Sequence, residues 1–343
     1  MMKVRKRGEE IRHFILENVE NHPKDIANLT AEKFGITRQA VNKHIQFLVK
    51  QNSLTVEGST KNKQYKLHPL VEFLELYQIA ENLQEDVVWE KDIKSFFKEL
   101  PANVRSIWYY GFTEMFNNAI EHSSGTEIIV QVQKTANDTE IIIKDNGEGI
   151  FNKIQKALNL QDERHSVLEL AKGKLTTDPE RHTGEGIFFT SRMFDFFSIL
   201  SGSVFFAHKF DNEEDWIIEN HEQRSGTAII LTLDNNTART SAQIFSKFST
   251  GDDFAFTKTV VPVNLAQYGD EQLISRSQAR RMLARIDRFK SVIFDFSGVE
   301  AIGQAFADEI FRVFKKQHPE IEISTINTNH NVKQMISRAE NVN

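Results

Sequence analysis

The chain is 343 residues long, 40% apolar and 26% charged, with no cysteine and a formal net charge of −6. That length predicts two or three domains with their own cores, and the lack of cysteine excludes disulfides and thiolate metal sites and fits a reducing cytoplasm, the expected location. No apolar run approaches the roughly 20 residues of a membrane span, and the basic "MMKVRKRGEEIRHF" lacks a secretory apolar region, so no membrane partner is expected. Charge is uneven: residues 1–70 hold 13 Lys and Arg against 7 Asp and Glu (+6), and the remainder 29 against 41 (−12). A basic head on an acidic body points to nucleic acid at the head.

In chain order, residues 5–20 read as an amphipathic helix with Ile11, Phe14, Ile15 and Val19 on one face, stopped by Pro23. "KDIANLTAEKFGITRQAVNKHIQFLVKQ" then reads as helix, Gly35 turn and helix, with Thr37 as N-cap of the second. On that second helix Val41, Ile45, Leu48 and Val49 point inward, while Arg38, Gln39, Asn42, Lys43 and Gln46 point outward. Arg, Gln and Asn are the side chains that pair bidentately with base edges in a major groove. "SLTVEGSTKNKQYKLHP" reads as a hairpin whose tip carries Lys61, Lys63 and Lys66, suited to phosphate contacts. Residues 3–68 resemble a bacterial winged helix-turn-helix, which implies a DNA-binding domain over residues 1–70.

Residues 103–122 form the clearest helix: Val104, Ile107, Trp108, Phe112, Met115, Phe116, Ala119 and Ile120 keep the helical period and predict packing on a sheet. Glu114, Asn118 and His122 stack four apart at the border of that stripe, at the rim of any cleft the helix helps to form. An amide oxygen suits Mg²⁺, and a carboxylate one turn earlier suits activation of a nucleophile beside the ion. "TEIIVQVQKTANDTEIIIKDNGEGI" predicts two strands ending in Asp145-Asn146-Gly147, which reads either as a plain tight turn or as a site where Asp145 accepts from an exocyclic amine and Gly147 and Gly149 let the backbone approach a flat ring. "RHTGEGIFFTSRMFDFF" puts Thr183, Gly184 and Gly186 at the start of a helix, where free amides bind phosphate. The polar stretch 151–183, with Lys172, Lys174, Arg181 and His182, predicts a lid over phosphates. Gly226-Thr227 opens a strand that returns to the base pocket.

The Asn-bearing helix, D-x-G-x-G, T-G-x-G-I and closing S-G-T, in this order, resemble the GHKL ATP-binding fold over about residues 75–235. The resemblance implies ATP and Mg²⁺ as ligands. By position it makes Glu114 the general base, Asn118 the Mg²⁺ ligand and Asp145 the adenine-amine acceptor. Gly147 and Gly149 become the adenine-side turn, Gly184 and Gly186 the phosphate-side lid end, and Thr227 a neighbour of the adenine. Lys174 and Thr183 join the nucleotide contacts; His122 is either a phosphate contact or a surface histidine. Histidine kinases carry their acceptor on a helical hairpin upstream, and residues 70–112 hold no histidine, so self-phosphorylation of that kind is not expected.

Residues 258–343 alternate strand and helix and predict a small α/β module. "VIFDFSGVEAIGQAFADEIFRVF" resembles the STAS domain of anti-sigma-factor antagonists, and more closely a STAS-like domain of uncharacterised function. The antagonists' acceptor serine is replaced by Gly303-Gln304-Ala305, and Ser297 reads as a turn residue.

The expected architecture is multidomain α/β: a winged helix-turn-helix (1–70), a GHKL α/β sandwich (71–240) and a STAS-like domain (241–343). Three functions stay open. One is an ATP–Mg²⁺ regulator whose nucleotide state modulates binding of DNA or of a protein partner at the STAS-like domain, acting as a homodimer. Another is an ATPase or serine/threonine kinase acting on a separate partner. The third is a scaffold with a degenerate nucleotide site.

Overall fold

Helices α1 (Met2–Asn18), α2 (Ile26–Phe34) and α3 (Arg38–Lys50) lead into the hairpin strands β1 (Leu54–Glu57) and β2 (Gln64–Leu67). This computed structural model describes residues 2–59, 62–175, 183–210, 214–249, 255–267 and 272–341. Local chemistry sets the helix ends. Gly35 ends α2 in the left-handed region at φ 60°, and Thr37 Oγ1 accepts from the Ala40 N–H at 3.2 Å to start α3. Ile11, Ile15, Val41, Ile45 and Leu48 close with Leu54 into a core belonging to this head alone.

The body begins with β3 (Val71–Gln78), then β4 (Glu127–Lys134), β5 (Asp138–Asp145), β6 (Phe196–Lys209) and β7 (Glu214–Asp234), an antiparallel sheet ordered β3-β4-β5-β7-β6. Strand side chains alternate, so Ile128, Val130 and Val132 of β4 face the same way as their partners Asp145, Ile143 and Ile141 of β5. That parity turns a carboxylate into the buried face of the sheet. Against that face pack α4 (Glu85–Val88), continued by a π turn and a 3-10 turn to Phe97, then α5 (Ala102–His122), α6 (Ile150–Leu158), α7 (Glu163–Lys172) and α8 (Gly186–Met193). Helix α5 buries the predicted stripe from Val104 to Ala119.

Two segments bear on the site, and the second differs from expectation. Residues 70–112, the place of a histidine-bearing hairpin in the kinases, contribute the edge strand β3, the α4 run and the first half of α5. Much of the expected lid is packed structure: α6 and α7 occupy 150–158 and 163–172, and α7 is buried from His165 to Lys172. The reason is a second layer beyond it, described next.

After α9 (Ser241–Phe248) come β8 (Lys258–Pro262), α10 (Arg276–Leu283), β9 (Ser291–Asp295), α11 (Gln304–Asp308), α12 (Lys315–Gln317), β10 (Glu322–Ile326) and α13 (His330–Glu340). The strands form a parallel sheet ordered β10-β9-β8, and the apolar run of the central strand buries Val292 and Phe294. Helix α9 packs on the first layer, with Phe245 against Tyr110 and Phe189 and Phe248 against Phe188. The two sheets share one apolar core. Phe256 joins them, its ring centroid 4.6 Å from Phe188, 4.9 Å from Phe189 and 5.3 Å from Phe289. Among the described residues no helix is long and apolar enough to cross a membrane.

Truncating a buried aromatic that bridges two layers removes contacts from both. Phe256→Ala is expected to cost about 3–5 kcal/mol in the urea unfolding of the body, whereas Leu74→Ala, at a side chain 69% exposed on β3, should stay within about 0.5 kcal/mol.

Candidate functional site

A cavity of about 280 Å³ lies between α5, the inner face of β5 and β7, α6 and the start of α8. Glu114, Asn118 and His122 form one wall, stacked by their spacing on α5. Asn117 is absent from that wall; its Nδ2 donates to Glu121 Oε2 at 3.1 Å, one turn along the helix. Asp145 and Thr227 form the floor with Ile143 and Ile229, and Ile150, Lys153 and Ile154 face them from α6. Leu175, Thr183, Gly184, Glu185 and Gly186 complete the rim.

The floor is held by backbone amides. Asp145 Oδ1 accepts from Gly147 N–H at 2.8 Å and Thr227 N–H at 3.2 Å, and Thr227 Oγ1 accepts from Ile150 N–H at 3.0 Å. Burial pushes the Asp145 carboxyl above the usual aspartate range, and these hydrogen bonds pull it back in part. A fixed carboxylate acceptor among isoleucines at this end suits an aromatic base with an exocyclic amine.

The opposite end is polar. Glu114 reaches the first residue of α8, where a side chain on Gly186 would collide with its Oε2. Burial raises the Glu185 carboxyl, opposed by Lys174, and burial also pushes the Tyr110 phenol up, reinforced by Glu114 and then Glu185. Leu175 N–H donates to Gly184 O at 3.2 Å, which ties the entry of α8 to the residue after Lys174. The start of α8, with Glu185 and Gly186, lines the same end of the cavity as Asn118 and Glu114, and the first-turn amides of a helix lack intrahelical partners and suit an anion.

Several expected residues stand elsewhere. Gly147 and Gly149 are behind the floor: a side chain at Gly147 would strike the Ser123 carbonyl, and one at Gly149 would meet Ser201 Oγ at 2.6 Å. Their role is close packing of the turn that aims Asp145, in place of contact with a ring. Lys174 points away from the cavity, its Nζ donating to Arg288 O at 3.0 Å and lying over the Phe289 ring at 4.9 Å. Lys172 is buried and engaged with Glu169. Arg181, His182 and Lys61 lie outside the described residues. Sequence reasoning missed Lys153, whose Nζ donates to His122 O at 2.7 Å, and Glu185; their signals are the first turn after D-x-G-x-G and the gap in T-G-x-G.

On the head, Arg38, Gln39, Asn42, Lys43 and Gln46 are all exposed along α3 and Lys63 is exposed before β2, while Lys66 pairs with Glu57 at 2.8 Å. In the C-terminal sheet Ser297 is held in its turn, donating to Asp295 Oδ1 at 2.8 Å and accepting from Asn327 Nδ2 at 2.9 Å.

Residues 94–203 match the family model for a histidine kinase-like ATPase domain, and residues 278–333 match that for a STAS-like domain of unknown function (DUF4325). The first match contains the wall, Asp145 and the α8 entry; the second contains β9 and α11. A comparison with curated proteins finds no match. The chain thus carries a histidine-kinase-like ATPase domain followed by a STAS-like domain.

Asp145→Asn is expected to weaken adenine nucleotide binding by roughly 10–100-fold, the worth of a hydrogen bond to a charged group. Because burial raises its pKa, the carboxylate loses acceptor capacity at a higher pH than an ordinary aspartate would. Calorimetric affinity should therefore fall on acidification, and the Asn variant should lack the part of that fall that Asp145 contributes. The sign for stability is the reverse: the folded state takes this proton up first, so its titration alone favours folding as pH falls.

Proposed function

We propose that the chain is an ATP-binding regulator whose N-terminal domain is a winged helix-turn-helix that binds DNA, with nucleotide occupancy setting DNA or partner binding. The observation that carries it is that one cavity brings Asp145 and Thr227 to one end and Glu114, Asn118 and Gly186 to the other. Asp145 accepts the adenine amine, the isoleucines cover the ring faces, and the α8 amides hold phosphate.

The residues present fit Mg²⁺. Asn118 offers a hard amide oxygen on the cavity wall, and among the described residues no group of three or more His, Asp or Glu surrounds a metal position. The remaining ligands would be phosphate and water oxygens, the set Mg²⁺ favours, and the bound ion neutralises phosphate charge. Asn118 is thus an ion ligand only in company with nucleotide.

For the head, support comes from the α2–Gly35–α3 turn, the exposed Arg, Gln and Asn of α3 and the lysine hairpin beside it. A homodimer would let two heads read half-sites about one helical turn apart. A protein partner on the STAS-like domain completes the reading.

Position favours Glu114 for a second, compatible reading. Its carboxylate stands at the α8 entry, where it would activate water or a partner's hydroxyl against the terminal phosphate. With γ-labelled ATP, Glu114→Ala should abolish release or transfer of label and retain nucleotide binding; unchanged label release would remove Glu114 from that role.

The DNA arm is tested with duplexes selected from a random pool, at fixed salt, with and without a non-hydrolysable ATP analogue. Arg38→Ala or Asn42→Ala should cost about 1–3 kcal/mol of discrimination, and Lys63→Ala should reduce the salt slope by about 1. Equal affinity with and without the analogue would refute nucleotide control of DNA binding.

A further inference from the structure

Lys172, at the end of α7, is 1% exposed, and its ammonium donates to Glu169 Oε1 at 2.6 Å and to the carbonyls of Arg281 and Ala284 at 3.0 Å each. All three donors of the side chain are thereby satisfied, two of them by the STAS-like domain. Glu169 Oε2 accepts from Arg285 Nη1 at 3.0 Å. The other arm of Arg285 donates to Lys174 O at 2.8 Å, and Arg288 Nη1 donates to the same carbonyl at 3.1 Å. From β8, Thr259 Oγ1 donates to Lys172 O at 2.6 Å.

These contacts converge on the exit of α7. Lys174 and Arg285 both sit in the left-handed region, at φ 51° and 63°, which residues with a Cβ rarely occupy unless their surroundings hold them there. Leu175 follows directly: it lines the cavity and bonds through its N–H to Gly184, two residues before α8. Arg285 is therefore one carbonyl and one peptide away from the cavity rim, although among the described residues none of the STAS-like domain lines the cavity itself. Phe256 and Phe289 already bury apolar surface at this junction. Buried ion pairs add little net adhesion beyond such packing, and what they fix is geometry.

We infer that Arg285, assisted by Arg288, is a positioning residue of the nucleotide site. The Arg281–Arg288 segment of the STAS-like domain is a latch on the α7 exit, and nucleotide affinity is set by whether the latch is engaged. The inference rests on ATP binding in the cavity and goes further by naming the element that controls it. By linkage, nucleotide tightens the docking in return. A ligand of the STAS-like domain that draws it off α7 would discharge nucleotide from a cavity it never touches.

The test uses the full chain and a non-hydrolysable ATP analogue, with affinity read by calorimetry and folding by circular dichroism and urea midpoint. Arg285→Ala should weaken analogue binding by about 5–150-fold, the usual span of coupling between sites. Arg285→Lys keeps the charge but cannot reach Glu169 and Lys174 O together, so it should recover only part of the loss. A contact that merely joins the domains would lower the urea midpoint of both variants and leave the affinity of the folded protein unchanged; that result overturns the latch. The unaltered chain supplies an independent readout. Amides 281–288 should exchange hydrogen more slowly with the analogue bound, and unchanged exchange at saturation also overturns the latch. No uptake of analogue by the unaltered chain overturns the ATP-binding reading itself, a failure distinct from the other two.

Discussion

A carboxylate turned into an apolar layer has to be met by hydrogen-bond donors, and Asp145 recruits them from the turn that follows β5 and from β7. Its Oδ1 takes the amides of Gly147 and Thr227, which fixes the end of β5 against β7 and sets the direction in which α6 departs. Moving Asp145 by one position would place it on the outer face and leave the floor entirely apolar. The glycines around it follow from the same demand. Gly147 passes against the Ser123 carbonyl and Gly226 against the Asp145 carbonyl, so the backbone itself forms the tightest part of the site.

The second organising feature is the continuity of the apolar core through α8, Phe256 and Phe289. It makes α7 an interior helix with the ATPase sheet on one side and the STAS-like sheet on the other. Buried polar groups on such a helix need partners from both sides. Glu169 and Lys172 obtain theirs from Arg285, Arg281 and Ala284. The head, whose core is its own, is free of that requirement.

Local periodicity explains what could be read from the residues. The α5 stripe, the alternation of β4 and β5 and the Thr37 cap each depend on neighbours within a few positions, and the structure has them where the pattern places them. Asp145 is legible from the D-x-G-x-G turn that closes its strand, and the parity that buries it beside Ile141 and Ile143 comes from the pairing with β4. The α7 part of the expected lid is packed instead, because "ELAKGK" reads as solvated while Lys172 is satisfied by carbonyls 109 and 112 residues further on. Lys174 follows from the same distant partner: its charge is drawn to Arg288 O and away from the cavity. Strand β3 was hidden for another reason: at a sheet edge its outward Leu74 and Leu76 stay exposed, so apolar content there does not report burial.

The shared core also separates two meanings of a domain. The stretches of family similarity, 94–203 and 278–333, each end inside the apolar core that the two sheets share. An excised ATPase piece ending before β8 would strip Lys172 of its carbonyls and bare the phenylalanine face of α8, exchanging a satisfied interior for an unpaired ammonium and an adhesive surface. The head stands differently, since its contacts are short in sequence and its core closes by Leu54. It can therefore be complete on the emerging chain while the body still waits for its last strand.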